Sequence, residues 1–287
     1  MKDKMLNILI TGGGSGIGAA LSKSLAQDNH QIVICGRREK KLKEVANNHK
    51  KILYKTCDVS DEQQVVQLKK FVKKSIKYLD VIINCAGVFG PINRFDKTNS
   101  NHWKKTFEIN TFGTYLIIKH FLDLLLLSKT KKIINFSGGG AFSPFPHYSA
   151  YAVSKAAVVR LTENIADELF DYKVHINCIA PGFVTTDLHN ETLLAGETAA
   201  GKQYQITKKK LKEGSVPITT PVECVKFLIS EKSDGLTGKT ISASFDKWNE
   251  VFFQESIKKI TESDLYTLRR INLNNLDGTN ELRKRLL

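Results

Sequence analysis

Two short stretches of this 287-residue chain hold side chains whose types and spacing suit chemistry. The first is Tyr151-Ala152-Val153-Ser154-Lys155, where a phenol and an ammonium stand four residues apart and share one face of a helix. A lysine beside a phenol favours the phenolate and lowers the tyrosine pKa, which suits a group that gives or takes a proton at a carbonyl or alcohol oxygen. Taken singly, such a pair also fits a solvated helix face. The second stretch is Thr11-Gly12-Gly13-Gly14-Ser15-Gly16-Ile17-Gly18, between the apolar run LNILI and the helix-like AALSKSLAQD. Glycines at a strand-to-helix turn admit tight dihedrals and let the backbone approach a pyrophosphate, while the helix N-terminus adds free N–H groups and a partial positive charge. The spacing is TGxxxGxG rather than GxGxxG, but its place between strand and helix favours nucleotide binding over a merely flexible loop.

Residues after the next apolar runs extend this reading. The second run ends in Gly36, followed by Arg37 and Arg38. Folds that prefer NAD carry an acidic residue here to accept from the ribose 2′-hydroxyl. Its absence and the two cations favour a 2′-phosphate, hence NADP(H), with NAD(H) not excluded. A solvated helix start is a stronger rival for Arg38 than for Arg37. Asp58 and Val59 follow the third run, where the carboxylate is placed to accept from an adenine amino group. Asn84, Cys85, Ala86 and Gly87 follow the fourth, where small residues permit close packing beside a cofactor.

These residues need a scaffold that gathers strand ends. Strand-like runs at 6–11, 31–35, 52–56, 80–84, 132–136, 174–179 and 239–244 alternate with helix-like stretches at 16–28, 38–48, 61–77, 100–128, 151–170 and 221–231. Runs such as VIIN and KIINF are apolar on both faces, which predicts an α/β fold with a parallel sheet covered by helices on each side. Right-handed crossovers then build a doubly wound sheet of about seven strands. Residues 1–248 are expected to form one domain with the substrate cleft. Segment 187–215 is the least patterned and reads as an insertion or lid, and 249–287 as a polar, basic extension ending ELRKRLL.

Composition, with 41% hydrophobic and 25% charged residues, is that of an ordinary soluble globular protein. The run Leu6 to Ile10 is too short for a signal segment, and Tyr115 to Leu127 is too short and too interrupted to span a bilayer. Five cysteines without a CxxC pair point to buried thiols in a reducing cytoplasm and to no metal site. The net charge of +14 is spread over helical faces and terminal segments, with no recognition helix or zinc-finger spacing, so neither nucleic acid nor a membrane is the expected partner. Lysines 202, 208, 209, 210 and 212 mildly favour an anionic substrate, although a solvated charge run explains them equally simply. The apolar face of FGTYLIIKHFLDLLLL suits either a core helix or the interface of a homodimer or homotetramer.

Together the motifs at Thr11 through Gly18, Asp58, Asn84 through Gly87, Asn110, Tyr151 with Lys155, and Pro181-Gly182 followed by Thr186 resemble the short-chain dehydrogenase/reductase family over about residues 5–245. That resemblance implies a Rossmann-type fold and an NAD(P)-dependent oxidoreductase acting on a CH–OH/C=O pair. It assigns Tyr151 as general acid/base, Lys155 also to the nicotinamide ribose, Asn110 to a water in a proton relay, and Val184 and Thr186 to the carboxamide. The family usually has a serine thirteen residues before the tyrosine to polarise the substrate carbonyl, and here that position is Gly138. Ser137 is one residue early; Tyr148, Ser149 or backbone N–H groups are alternative donors. Gly138 also motivates a second reading, a catalytically weak NADP(H)-binding sensor or scaffold.

Overall fold

The computed structural model describes residues 4–47 and 49–270. In chain order its main elements are β1 (Asn7–Thr11), α1 (Gly16–Gln27), β2 (Gln31–Gly36), α2 (Glu39–Ala46), β3 (Ile52–Thr56), α3 (Glu62–Ile76) and β4 (Val81–Asn84). There follow α4 (Ser100–Phe107), a π-helical turn (Glu108–Phe112), α5 (Gly113–Leu126), β5 (Lys132–Phe136), α6 (Ser149–Glu168), β6 (His175–Ala180), α7 (Asp187–Ala200), α8 (Lys202–Glu213), α9 (Thr219–Ile229), β7 (Thr240–Ser242), α10 (Val251–Glu255) and α11 (Ile257–Thr261).

The strands form one seven-stranded parallel sheet in the order β3-β2-β1-β4-β5-β6-β7. Alternate side chains explain why both faces are covered. Ile8, Ile10, Ile32, Ile34, Val81 and Ile83 pack towards α1, α2 and α9, whereas Leu9, Val33, Ile82 and Ile133 pack towards α3 and α5. Strand order reverses between β1 and β4, and a doubly wound sheet opens a crevice at the carboxyl ends of its strands there. Thr11 and Asn84 are register partners at that point, and Asn84 in turn pairs with Asn135.

Three regions differ from the sequence-based expectation. The expected helix at 100–128 is broken by the π-helical turn, which carries Asn110; such turns recur at functional sites. Segment 187–215 is largely helical, as α7 and α8, with α7 interrupted at Gly196 by φ 79° and ψ 169°. Its periodicity is hard to read because the inward face of α8 is polar, with Thr207 buried. Finally, the extension after Trp248 packs into the main core: Phe253, Ile257 and Ile260 are buried with the sheet residues. Trp248 and Phe253 lie against Phe227 of α9 at ring-centroid distances of 5.7 and 6.1 Å, and the Thr240 N–H of edge strand β7 donates to Tyr266 O at 2.8 Å. The extension thus covers the β7 edge and α9. The terminal ELRKRLL lies outside the described residues. Among the described residues no helix is long and apolar enough to cross a membrane.

Candidate active site

Above the strand ends lies a cleft of about 690 Å³. At one end β1 delivers the glycine loop to the N-terminus of α1. The Thr11 hydroxyl accepts from the Ala86 N–H at 3.1 Å, tying this loop to the segment after β4. Gly12 has φ +68°, and a Cβ there would stand 2.9 Å from Ala86 backbone atoms, so only glycine lets the two loops meet. Gly14, Ser15, Gly16, Ile17 and Gly18 line the cleft with Gly12. Ser15 precedes α1 without capping it; its hydroxyl instead accepts from an Arg38 guanidinium nitrogen at 2.8 Å.

Arg37 and Arg38 both line the cleft where β2 ends, as do Asp58 and Val59 after β3. Burial alone would raise the Asp58 carboxyl, but hydrogen bonds from the Ser60 hydroxyl and N–H, with Lys105 and Arg37 nearby, hold it below the usual carboxylate range. Ala86 and Gly87 form the floor. Asn84 lies beneath it: its side-chain nitrogen donates to Asn135 at 2.9 Å, and its buried Oδ1 meets no hydrogen-bond donor.

At the other end α6 presents Tyr151 and Lys155, 7% and 5% exposed. They share a helix face but are not joined through polar atoms. Lys155 Nζ stands 5.8 Å from the Tyr151 ring centroid and donates to the Phe136 carbonyl at 2.8 Å. The lowered phenol expected from the lysine is therefore not what this arrangement produces: burial pushes the Tyr151 phenol up, and burial also lowers Lys155. Cys85 and Cys178, beside Lys155, are both pushed up to about 12 by burial, so they stand as inert thiols.

Asn110 is wholly buried, and its side chain ties the segment after β4 to α6. Its Oδ1 accepts from the Val88 N–H, and its nitrogen donates to Val88 O and Ser154 Oγ, all at 2.9 Å. Acceptor capacity for a water remains on Oδ1, which takes one donor, and on the main-chain carbonyl, which accepts from the Thr114 hydroxyl at 2.9 Å.

Around Tyr151 the cleft is bounded by the loop after β5. A Cβ on Gly138 would fall 2.1 Å from the Tyr151 hydroxyl oxygen, so the phenol fills the space a serine side chain would need. Ser137 lines the cleft, and its buried hydroxyl has no hydrogen-bond partner. Neither side-chain substitute suggested by sequence lines the cleft. Tyr148 Oη donates to Thr192 Oγ1 at 2.8 Å, and Ser149 Oγ accepts from the Trp103 indole at 3.1 Å. Pro181, Gly182, Val184 and Thr186 come to the cleft from the loop after β6.

Sequence reasoning missed the aromatic wall. Phe89 meets Tyr151 edge-on at 4.8 Å between centroids, His189 lies 5.8 Å from Phe89 and 4.1 Å from Phe183, and Lys210 Nζ sits 4.9 Å over the Phe183 ring. Of the five lysines noted in segment 187–215, Lys210 is the one that lines the cleft. Gln203, Thr207 and Lys210 do so at i, i+4 and i+7 spacing, a signal present in the sequence but polar and therefore easily passed over. His147 is half-buried, with Nδ1 2.6 Å from Ala199 O at the end of α7.

A glycine-loop cradle at a sheet switch point, sharing one cleft with a buried tyrosine and lysine, defines an α/β protein of the dinucleotide-binding class. Residues 6–195 match the short chain dehydrogenase family, and the chain belongs to it. A benzil reductase of Saccharomyces cerevisiae is 31% identical over 64% of this chain and 73% of its own. An NAD-dependent glycerol dehydrogenase of Listeria innocua is 26% identical over 83% of this chain and 94% of its own. The structure of an NADPH-dependent reductase involved in bacilysin biosynthesis shares the fold, with TM-score 0.74, 23% identity and coverage of 84% of this chain and 97% of that one. The protein is accordingly an NAD(P)-dependent oxidoreductase.

Proposed function

We propose that the protein interconverts a carbonyl and a secondary alcohol with NADP(H), using Tyr151 as general acid and base. The observation that carries this reading is the single cleft that joins the glycine loop and the Ser15–Arg38 pair at one end to Tyr151 and Lys155 at the other. Arg37 and Arg38, with no carboxylate at the end of β2, favour the 2′-phosphate of NADP(H). The loop from Thr11 to Gly18 would hold the pyrophosphate, Asp58 and Val59 the adenine, Ala86 and Gly87 the floor with Asn84 beneath them, Lys155 the nicotinamide ribose, and Val184 and Thr186 the carboxamide, with Pro181 and Gly182 beside them.

When bound, the nicotinamide supplies a hydride to the carbonyl carbon or accepts one from the alcohol. In reduction, the electron pair left on the substrate oxygen takes the Tyr151 proton, and the phenolate regains a proton from solvent by way of Asn110. Burial keeps the phenol protonated at neutral pH, the form that reduction consumes. Lys155 stabilises the transient phenolate. The unpartnered Ser137 hydroxyl is the side chain assigned to polarise the carbonyl, with the Gly138 and Gly139 amides as the alternative. The exposed, stacked Phe112 and Tyr115 rings suit a second copy of the chain in a homodimer or homotetramer.

Gly138 favours one second reading, a catalytically weak NADP(H)-binding sensor or scaffold on the same fold. The two are separated by titrating the purified protein with NADPH and NADH and then following NADPH oxidation over a carbonyl panel. Turnover abolished in Tyr151→Phe, with cofactor binding intact, supports the reductase. Cofactor binding without turnover supports the sensor, and binding of neither cofactor overturns both.

A further inference from the structure

The wall between Tyr151 and Lys210 has an ordered chemistry. Moving out from the phenol, the contacts run through Phe89, His189 and Phe183 to the lysine ammonium, each ring meeting the next at the distances given above. The rings along this path carry no fixed charge. His189 is held neutral because burial, with Lys210 beyond it, lowers it to about 4. Three carboxylates share the cleft: Asp58 is held down by Ser60, Lys105 and Arg37, Glu191 is raised by burial against the pull of Arg37 and Arg38, and Asp187 opens α7. Among the described residues no carboxylate pairs with Lys210, whereas its neighbour Lys209 pairs with Glu213 at 3.7 Å. One turn before Lys210 on the same face, Thr207 is wholly buried, and its hydroxyl has no hydrogen-bond partner although it lines the cleft. A buried hydroxyl left unpaired costs stability, and it becomes useful when a ligand supplies the acceptor.

We propose that the substrate is an aromatic ketone or aldehyde with a carboxylate at the end remote from the carbonyl. Its ring lies along Phe89, His189 and Phe183, and its carboxylate reaches Thr207 and Lys210. Aromatic walls favour offset and edge-on ring contacts over flexible aliphatic chains. One cation and one hydroxyl match a monoanion rather than a phosphate dianion. This assignment rests on the reading of the cleft as a site of carbonyl reduction.

Calorimetric titration of the NADP+-saturated full chain tests it, with three probes. They are 4-acetylbenzoate, its methyl ester of the same shape without the charge, and 5-oxohexanoate, which has charge without a ring. The acid is expected to bind roughly tenfold tighter than the ester, the worth of one charge-assisted contact, and tighter than 5-oxohexanoate by at least as much. Lys210→Ala is expected to bring the acid-to-ester ratio near unity, while Lys209→Ala, on the outward face, leaves it unchanged. Equal affinity for acid and ester, a ratio indifferent to Lys210→Ala, or a preference for 5-oxohexanoate overturns the proposal. NADPH oxidation is followed in parallel. Lys210-dependent binding without turnover keeps the ligand assignment and removes the reductase reading. Turnover confined to aliphatic ketones does the reverse.

Discussion

The hydroxyl of Tyr151 and the α-carbon of Gly138 are packed so closely that a methyl group on Gly138 would stand 2.1 Å from the phenol oxygen. The ring is also packed against Phe89 at 4.8 Å and near Phe145 at 6.4 Å, which limits how far it can move. The glycine where the family usually has a serine is therefore part of how Tyr151 is seated. A side chain at 138 is thus not part of this cleft, and the nearest hydroxyl in the loop is that of Ser137.

Restoring a side chain there should damage the enzyme. Gly138→Ala and Gly138→Ser are both expected to displace the phenol by about an ångström and lower kcat/KM by about 10²-fold. Overpacking should cost about 1–3 kcal/mol of stability. Steady-state kinetics with thermal unfolding checks this; a gain of activity in Gly138→Ser would show that the tyrosine has room to move.

Arg38 is the cleft arginine already fixed in position, through Ser15. Arg38→Ala should weaken NADPH binding by roughly 10- to 100-fold, the worth of a charged hydrogen bond, and leave NADH nearly unchanged. Arg37→Ala should have the same sign. Fluorescence titration with both cofactors measures each ratio.

His189 makes stability depend on pH. Its folded-state pKa is lowered from 6.5 to about 4, chiefly by burial, so the unfolded chain takes up the proton first as the solution is acidified. Folding is then progressively destabilised as pH falls from about 6.5 through about 4, and this group adds no further loss below that window. His189→Phe, which keeps a ring in the wall, should flatten urea-denaturation stability across the same interval.

Tyr148 is bound to Thr192 of α7 at 2.8 Å and is wholly buried. If it only holds α7 over the cleft, Tyr148→Phe should raise KM with little change in kcat and cost about 1 kcal/mol for the lost hydrogen bond. A fall in kcat equal to that in kcat/KM would assign Tyr148 to the chemistry instead.

Much of this molecule was legible in one dimension. The strands VIIN and KIINF could be placed because a parallel strand buried on both faces is a continuous apolar run, and the glycine loop because its residues are contiguous. The helix break at Asn110 was not legible, since a π-helical turn changes hydrogen-bond partners without changing apolar spacing. The helices α7 and α8 were missed because their inward residues, Thr192 and Thr207 among them, are polar. The course of the extension depended on which exposed apolar surface, that of Phe227 and β7, was nearest in space.

By itself the sequence determined the class of fold, the position of the glycine loop between β1 and α1, and the placing of Tyr151 and Lys155 on one helix, because each depends on residues close together along the chain. Only the tertiary structure decided that Arg38 is held by Ser15, that Gly138 makes room for Tyr151, and that Phe89, His189 and Phe183 form one path to Lys210. Those relationships join residues from separate crossovers of the sheet. Their distances are set by how the helices pack on its faces, which no local pattern records.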